Sequence, residues 1–139
     1  MLGGEPVQAG GIWYPPTLLT NVTHDMLIMQ EETFGPVIPV VIYGDVEEAV
    51  ALANDSTFGL SAAVFSADAD AAKAVAERLQ VGAISINDAS LTGIVNDVEK
   101  NSFRFSGMGG SRMGPAGLTR FLRKRALLIQ TGEPAAVQL

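Results

Sequence analysis

Between residues 37 and 87 the apolar pattern switches repeatedly between strand and helix periods, and this alternation constrains the fold more than any single residue. Val40 to Tyr43 is a continuous apolar run, as expected for a strand buried on both faces. Pro39 falls near its start, where a missing backbone donor is tolerated. Asp45 follows as a helix N-cap with Glu48 three residues on, a capping box in the broad sense. Val46, Ala49, Val50 and Ala53 then recur at helical spacing. Asn54 to Gly59 ends that helix, and Leu60 to Phe65 reads as a second strand. Ser66 or Asp68 caps a second helix with Ala72, Val75, Ala76 and Leu79 on its inward stripe, and Gly82 stops it. Ala83-Ile84-Ser85-Ile86-Asn87 is a third strand. The order β-α-β-α-β with short connections predicts an α/β fold with right-handed crossovers and a parallel sheet.

Ligands of such sheets sit outside the carboxyl ends of the strands, which points to the loop that begins at Asn87-Asp88. Residues 88–113 show neither period. A structureless loop of about 25 residues in a compact domain is usually functional or disordered. It ends in Ser106-Gly107-Met108-Gly109-Gly110-Ser111-Arg112-Met113-Gly114, after which Pro115 suits the first turn of a short helix carrying Leu118, Phe121 and Leu122. Arg125 to Gln130 reads as a strand with no hairpin partner in reach, so its partner is expected to be distant, such as another subunit. Upstream, residues 1–11 read as a loop. Ile12-Trp13-Tyr14 and Thr17 to Val22 read as extended pieces interrupted by Pro15-Pro16. His24 to Met29 is a connection whose methionines can pack inward.

The chain has 139 residues, 47% hydrophobic and 17% charged, enough for one domain with a core. No apolar run reaches the ~18 residues of a membrane span. The first residues lack the basic and apolar regions of a signal peptide, so a cytoplasmic location is expected. No cysteine is present, which removes disulfides and any thiol nucleophile from this chain. The single histidine, His24, cannot build a metal site by itself, and no metal is expected. The net charge of −6 hides an asymmetry: residues 1–99 carry 14 acids and 2 bases, residues 100–139 carry 7 bases and 1 acid. Because Leu118, Phe121, Leu122, Leu127, Leu128 and Ile129 interleave the basic end, an acidic protein surface suits it better than nucleic acid.

Two stretches invite a chemical reading. Gly107 to Arg112 resembles a phosphate loop in composition only. It has arginine where G-x-G-x-x-G needs its last glycine, it follows a loop rather than a strand, and it lacks the G-K-[ST] of a P-loop. A structural turn and a ligand contact both remain open. Glu31-Glu32 stands before Thr33-Phe34-Gly35-Pro36-Val37. Adjacent residues of an extended chain point to opposite sides, so the two carboxylates are not expected to share a proton. Glu32 can be a surface residue. A second use also fits its position: hydrogen-bonding ribose hydroxyls while the Phe34 ring packs on a base.

Taken together, the motifs resemble the NAD(P)-dependent aldehyde dehydrogenase superfamily. Glu31 to Val37 resembles its E-E-x-F-G-P-V motif. Asn54 to Phe65 is similar to its N-x-[ST]-x-[YF]-G-L-x-[AG]-x-[VI]-[FW] stretch. Gly82 to Asn87 is similar to G-x-[VI]-x-[VI]-N, and Ser106-Gly107-Met108-Gly109 to K-x-S-G-x-G with Arg104 at the lysine position. Pro15 to Leu19 resembles P-T-[VL]-[LF]. The matches run in order over almost the whole chain.

The resemblance covers only about the last third of such an enzyme. It implies that residues 1–122 are the C-terminal part of a catalytic domain and that 123–139 are an oligomerisation strand and tail. Residues 123–131 match the strand that completes a neighbouring subunit's sheet, which makes a homo-oligomer the expected assembly. The implied reaction of the complete enzyme oxidises an aldehyde to a carboxylic acid and passes hydride to NAD+ or NADP+. The nucleophilic cysteine and general-base glutamate belong to upstream segments, so this chain contributes no catalytic residue and is expected to be inactive alone. The alternative is a non-catalytic truncated product or an oligomerisation module. By the same resemblance Glu32 binds the nicotinamide ribose and Phe34 lies on the nicotinamide side. Asn87, Asp88 and Phe103 line the substrate tunnel. Residues 88–103 are longer than in common members and one extra residue follows Gly109. Substrate class therefore stays open, and Arg112 is only loosely aligned.

Overall fold

A computed structural model of the chain describes residues 2–5, 11, 13–108, 110–111 and 113–132. Ile12, Gly109, Arg112 and residues 133–139, on which parts of the sequence reading fall, lie outside the described residues. The elements in order are β1 (Thr17–Leu19), α1 (Leu27–Gln30), β2 (Val37–Pro39), α2 (Val46–Asn54), β3 (Phe58–Gly59), β4 (Ser61–Val64), α3 (Ala69–Ala76), β5 (Ala83–Ile86), α4 (Leu91–Ile94), β6 (Phe103–Arg104) and α5 (Gly114–Thr119). This is α/β content, and among the described residues no helix is long and apolar enough to cross a membrane.

The expected single parallel sheet is divided into three pairs. β1 pairs with β2 in parallel, β4 with β5 in parallel, and β3 with β6 antiparallel. The β4-α3-β5 unit matches the sequence expectation: Ser61 to Val64 run in register with Ala83 to Ile86. Ala72 and Ala76 of α3 are buried where the helical stripe placed them. The first strand differs. It lies at Val37–Pro39 rather than Val40–Tyr43, and its neighbour is β1 rather than β4. The physical reason is the length of β1. Val40 N–H still donates to the Leu19 carbonyl at 2.9 Å, and β1 ends there. Beyond that point residues 40–43 have no ladder partner, and Ile42 is 88% exposed.

Both helix starts follow the sequence. The Asp45 carboxylate accepts the Glu48 N–H at 2.8 Å, and the Glu48 carboxylate reaches back to the Gly44 N–H at 2.6 Å. Asp68 caps α3 by accepting the N–H groups of Asp70 and Ala71, while the Ser66 hydroxyl accepts from Asp68. The end of α3 differs: it stops at Ala76, six residues before Gly82. Gly82 serves another purpose, because a Cβ there would overlap the carbonyl oxygen of Asn101. Two ties hold α2 to the segment after α3. Glu47 receives both guanidinium arms of Arg78, at 2.9 and 2.5 Å. Asn54 donates to the Arg78 carbonyl and accepts from the Gln80 N–H.

The long loop is not structureless, since it contains α4 and β6. Arg125 to Gln130, expected as a strand, forms none within this chain. An isolated segment without a second strand has no ladder to join.

Little of the apolar surface is covered. Val22, Val50, Ala72 and Ala76 are the buried apolar side chains among the described residues. The accessible surface is 11375 Å² for 14.6 kDa, against the roughly 6,900 Å² expected of a compact monomer of that mass. The local elements are formed, and the faces they were patterned to bury stand open.

Candidate functional site

The segment carrying Glu32 and Phe34 is fixed at both ends. Glu31 closes α1 through its N–H to the Leu27 carbonyl, and the Thr17 N–H of β1 donates to the Pro36 carbonyl at 2.8 Å. Between them the chain folds tightly: Gly35 N–H donates to Thr33, and Val37 N–H to Gly35. Phe34 sits at the apex, 93% exposed, and the space beside Gly35 is open. A phenyl ring held out from two anchored ends presents a flat apolar face to whatever docks there.

Glu32 borders a cavity of about 400 Å³ whose other walls are Ser56, Phe58, Leu60, Ser61 and Phe105, with Val81 and Ser106. These residues come from segments separated by up to 74 positions in the chain, Glu32 to Ser106. The cavity therefore joins the E-E-x-F-G, N-x-S-x-F-G-L and S-G-x-G motifs, and Glu31 is not in its wall. That separation of two adjacent carboxylates agrees with the extended-chain geometry read from the sequence.

Several polar positions of these motifs prove to be braces. The Arg104 guanidinium donates to the Asn54 carbonyl at 2.7 Å, to the Ser56 carbonyl and to Gln80 Oε1. Arg104 takes a positive φ of 53° to do so. The Ser106 hydroxyl accepts the Gly59 N–H at 2.9 Å. Gly59 has no room for a side chain, since a Cβ would meet the Gln80 carbonyl oxygen at 2.7 Å and Phe103 Cβ at 2.9 Å. In the described part of the Gly-rich stretch Gly107 lies against Ser102, while Met108 is exposed and the space beside Gly110 is open.

The expected tunnel residues do not share the Glu32 cavity. Asn87, at φ 56°, clamps Ser66: its Oδ1 accepts the Ser66 N–H at 2.8 Å and its Nδ2 donates to the Ser66 carbonyl at 2.9 Å. The Asp88 carboxylate accepts from Ser90 N–H, Ser90 Oγ and Leu91 N–H at the start of α4. The Ser90 hydroxyl and the two N–H groups hold its pKa below the usual 3.8. Phe103 pairs with Gly59 across β6 and β3, half exposed.

A second cavity of about 500 Å³ adjoins the first, with Leu60, Ser61 and Ser106 in the walls of both. Thr92, Lys100, Ser102 and Ser111 are also in its wall. Sequence reading passed over Lys100, whose loop position gives no periodic signal. It also passed over the approach of His24 Nε2 to the Asp55 carboxylate at 3.1 Å.

The elements and the meeting of these motifs define part of a larger α/β scaffold. The sequence profile of the Aldehyde dehydrogenase family matches residues 1–127, and the chain belongs to that family. It is 49% identical to a succinate semialdehyde dehydrogenase [NAD(P)+] of Escherichia coli over 63% of this chain and 19% of that protein. Its structure resembles PutA from Anabaena variabilis at 56% identity and a TM-score of 0.86, covering 98% of this chain and 29% of that one. It also resembles a betaine aldehyde dehydrogenase variant of Staphylococcus aureus in complex with NAD+. There the identity is 37% and the TM-score 0.82, over 90% of this chain and 25% of the other. The chain spans between about a seventh and a quarter of the length of the curated relatives it matches.

Proposed function

We propose that residues 1–139 are the C-terminal part of an NAD(P)+-dependent aldehyde dehydrogenase that oxidises an aldehyde to a carboxylic acid. In this reading residues 1–122 complete a catalytic domain and 123–139 form an oligomerisation strand and tail. A homo-oligomer through residues 123–131 and a cytoplasmic location belong to the same proposal. The observation that carries it is the convergence of three distant motifs on the cavity that Glu32 borders.

The residues present suit the nicotinamide end of the cofactor. Glu32 is exposed at the cavity rim and forms no ion pair among the described residues, so its carboxylate is available to accept from two ribose hydroxyls. Phe34 offers an uncovered ring on the same anchored segment. When bound, NAD(P)+ supplies the hydride acceptor. Asn87, Asp88 and Phe103 shape the substrate side in this reading, Asn87 and Asp88 by setting the path of the chain after β5. The chain supplies no thiol, so acyl transfer through sulfur needs a cysteine from elsewhere.

The test is NADH formation with a panel of aldehydes, using the chain alone and the chain joined to a cysteine-bearing remainder. Turnover only in the second case is the expected result. Turnover by the chain alone overturns the assignment of catalysis to other segments, and turnover in neither overturns the dehydrogenase reading. The absence of cysteine also favours a second reading, a non-catalytic assembly module. That reading predicts self-association through the tail with no effect of NAD+ on Trp13 fluorescence.

A further inference from the structure

We propose that Arg104 is a positioning residue for the cofactor site: without standing in the wall of the Glu32 cavity, it grips the stretches of chain that build that wall. The proposal rests on the dehydrogenase reading above and adds to it a residue that tunes cofactor affinity through others.

The first observation is what the guanidinium holds. Each partner is a wall residue of the cavity or the chain neighbour of one. Arg104 donates to the Asn54 carbonyl at 2.7 Å, and Asn54 follows the wall residue Ala53. It donates to the carbonyl of Ser56, which is itself in the wall. It also donates to Gln80 Oε1, and Gln80 precedes the wall residue Val81. The residue after Arg104 is Phe105, again in the wall. Ala53, Ser56, Val81 and Phe105 are therefore tied to one side chain and the backbone that carries it.

The second observation is the fit of residue type to task. A guanidinium carries five N–H donors in a rigid fork, so one side chain can hold two carbonyls and an amide oxygen together. Two of the three partners are also joined to each other, since Asn54 Oδ1 accepts the Gln80 N–H at 2.8 Å. Displacing either one disturbs the other.

The third observation is the backbone. Arg104 takes φ 53°, a left-handed conformation that a residue with a Cβ adopts at a cost. Such outliers persist where the surroundings enforce them, and they collect at ligand sites. The enforcement here comes from the same wall: Arg104 pairs with Phe58 and Phe103 with Gly59, the Phe105 N–H donates to the Thr57 carbonyl at 3.0 Å, and Ser106 Oγ accepts the Gly59 N–H at 2.9 Å.

Arg78 provides the contrast. Its guanidinium makes a two-armed pair with Glu47, and neither residue, nor a chain neighbour of either, is in the wall. A brace that serves stability alone can sit there. Arg104 sits where a small displacement of the wall changes how a bound cofactor is held.

The test is initial-rate kinetics with the complete dehydrogenase containing residues 1–139, varying NAD+ or NADP+, whichever the parent reduces. Arg104→Met is expected to raise the KM for that cofactor by about 5–10-fold while kcat changes less than about threefold, because displaced walls weaken binding without removing a reacting group. Arg104→Lys is expected to fall between the parent and Arg104→Met, since it keeps the charge but not the planar fork. Arg78→Met is expected to keep the parental KM. Unfolded enzyme lowers the maximal rate and leaves KM unchanged, so KM separates positioning from stability. A parental KM in Arg104→Met, or an equal rise in Arg78→Met, overturns the proposal. A parent enzyme that reduces neither cofactor with any aldehyde overturns the dehydrogenase reading itself.

Discussion

The backbone of Gly82 lies against the backbone of Asn101, so closely that a Cβ on residue 82 would overlap the Asn101 carbonyl oxygen. Neither partner is a flexible side-chain end, and the clash can be relieved only by moving β5 or the 99–102 loop. Gly82→Ala is expected to lower stability by about 2–4 kcal/mol, at the upper end of overpacking effects. Gly93→Ala, inside α4 with open space around it, is expected to be neutral or stabilising by up to about 1 kcal/mol. Urea midpoints of the two variants check the contrast. Equal midpoints would show that the 99–102 loop yields freely.

Arg104 is a second brace between distant segments. Its guanidinium spans the Asn54 and Ser56 carbonyls and Gln80, and its backbone sits at a positive φ. Arg104→Lys keeps the charge but cannot make a planar fork, so it is expected to recover less than half of the loss in Arg104→Met. That loss is put at about 1–2 kcal/mol, reduced from the usual range for charged hydrogen bonds because the residue is exposed. Thermal unfolding of the three proteins gives the order directly. Full recovery by lysine would mean that charge alone matters there.

These two braces show where sequence reading stops. The caps at Asp45 and Asp68 were legible because donor and acceptor lie within three residues. The β4-α3-β5 unit was legible because two periodic strands flank a periodic helix. Gly82 was read as a helix stop, a local use of glycine, when its cause is a backbone 19 residues away. The Arg104 partner Asn54 is 50 residues away, and no spacing rule reaches it. Val40 to Tyr43 carries the apolar pattern of a buried strand, and pattern reports what a segment is suited to bury rather than what covers it in this chain. At the site, Glu32 was legible from its motif, while Lys100 lies in a segment without period.

Phe34 separates stability from ligand contact. At 93% exposure it has almost no packing to lose, so Phe34→Ala is expected to leave the unfolding midpoint within about 0.5 kcal/mol of the parent. In the complete dehydrogenase the same change is expected to raise the KM for NAD+. Glu32→Gln is expected to raise it by about tenfold or more, through weakened hydrogen bonds to ribose. Initial-rate kinetics with varied NAD+ checks both. A Phe34→Ala enzyme with parental KM for NAD+ would remove the ring from the proposed site.

Asp88 makes the start of α4 sensitive to acid. Hydrogen bonds from Ser90 and Leu91 depress its folded pKa below 3.8, so its contribution is present above that value. The contribution is lost as pH falls through the depressed folded value. Amide exchange at Ser90 and Leu91 is expected to accelerate in that acidic window beyond the intrinsic change, and Asp88→Asn is expected to abolish the additional acceleration. An unchanged profile in Asp88→Asn would show that another group governs the α4 end.

The tail offers the test of assembly. Residues 123–132 form no regular element, and Leu127, Leu128 and Ile129 are 77%, 91% and 72% exposed. Three consecutive apolar side chains in water cannot all be covered by one face of a single sheet, because alternate residues point to opposite sides. A strand added to another subunit's sheet covers one face with that sheet's side chains and leaves the other for the layer packed on it. Leu128 stands on the opposite face from Leu127 and Ile129 in such a strand, so Leu128→Asp and the double change Leu127→Asp with Ile129→Asp address different faces. Both are expected to shift the assembly toward monomer, because a carboxylate has no partner on either covered face. Sedimentation velocity at several concentrations reads the result, and secondary structure by circular dichroism is expected to stay constant since these side chains are largely exposed. Retention of the parental assembly in both variants would assign the exposed tail to some other contact.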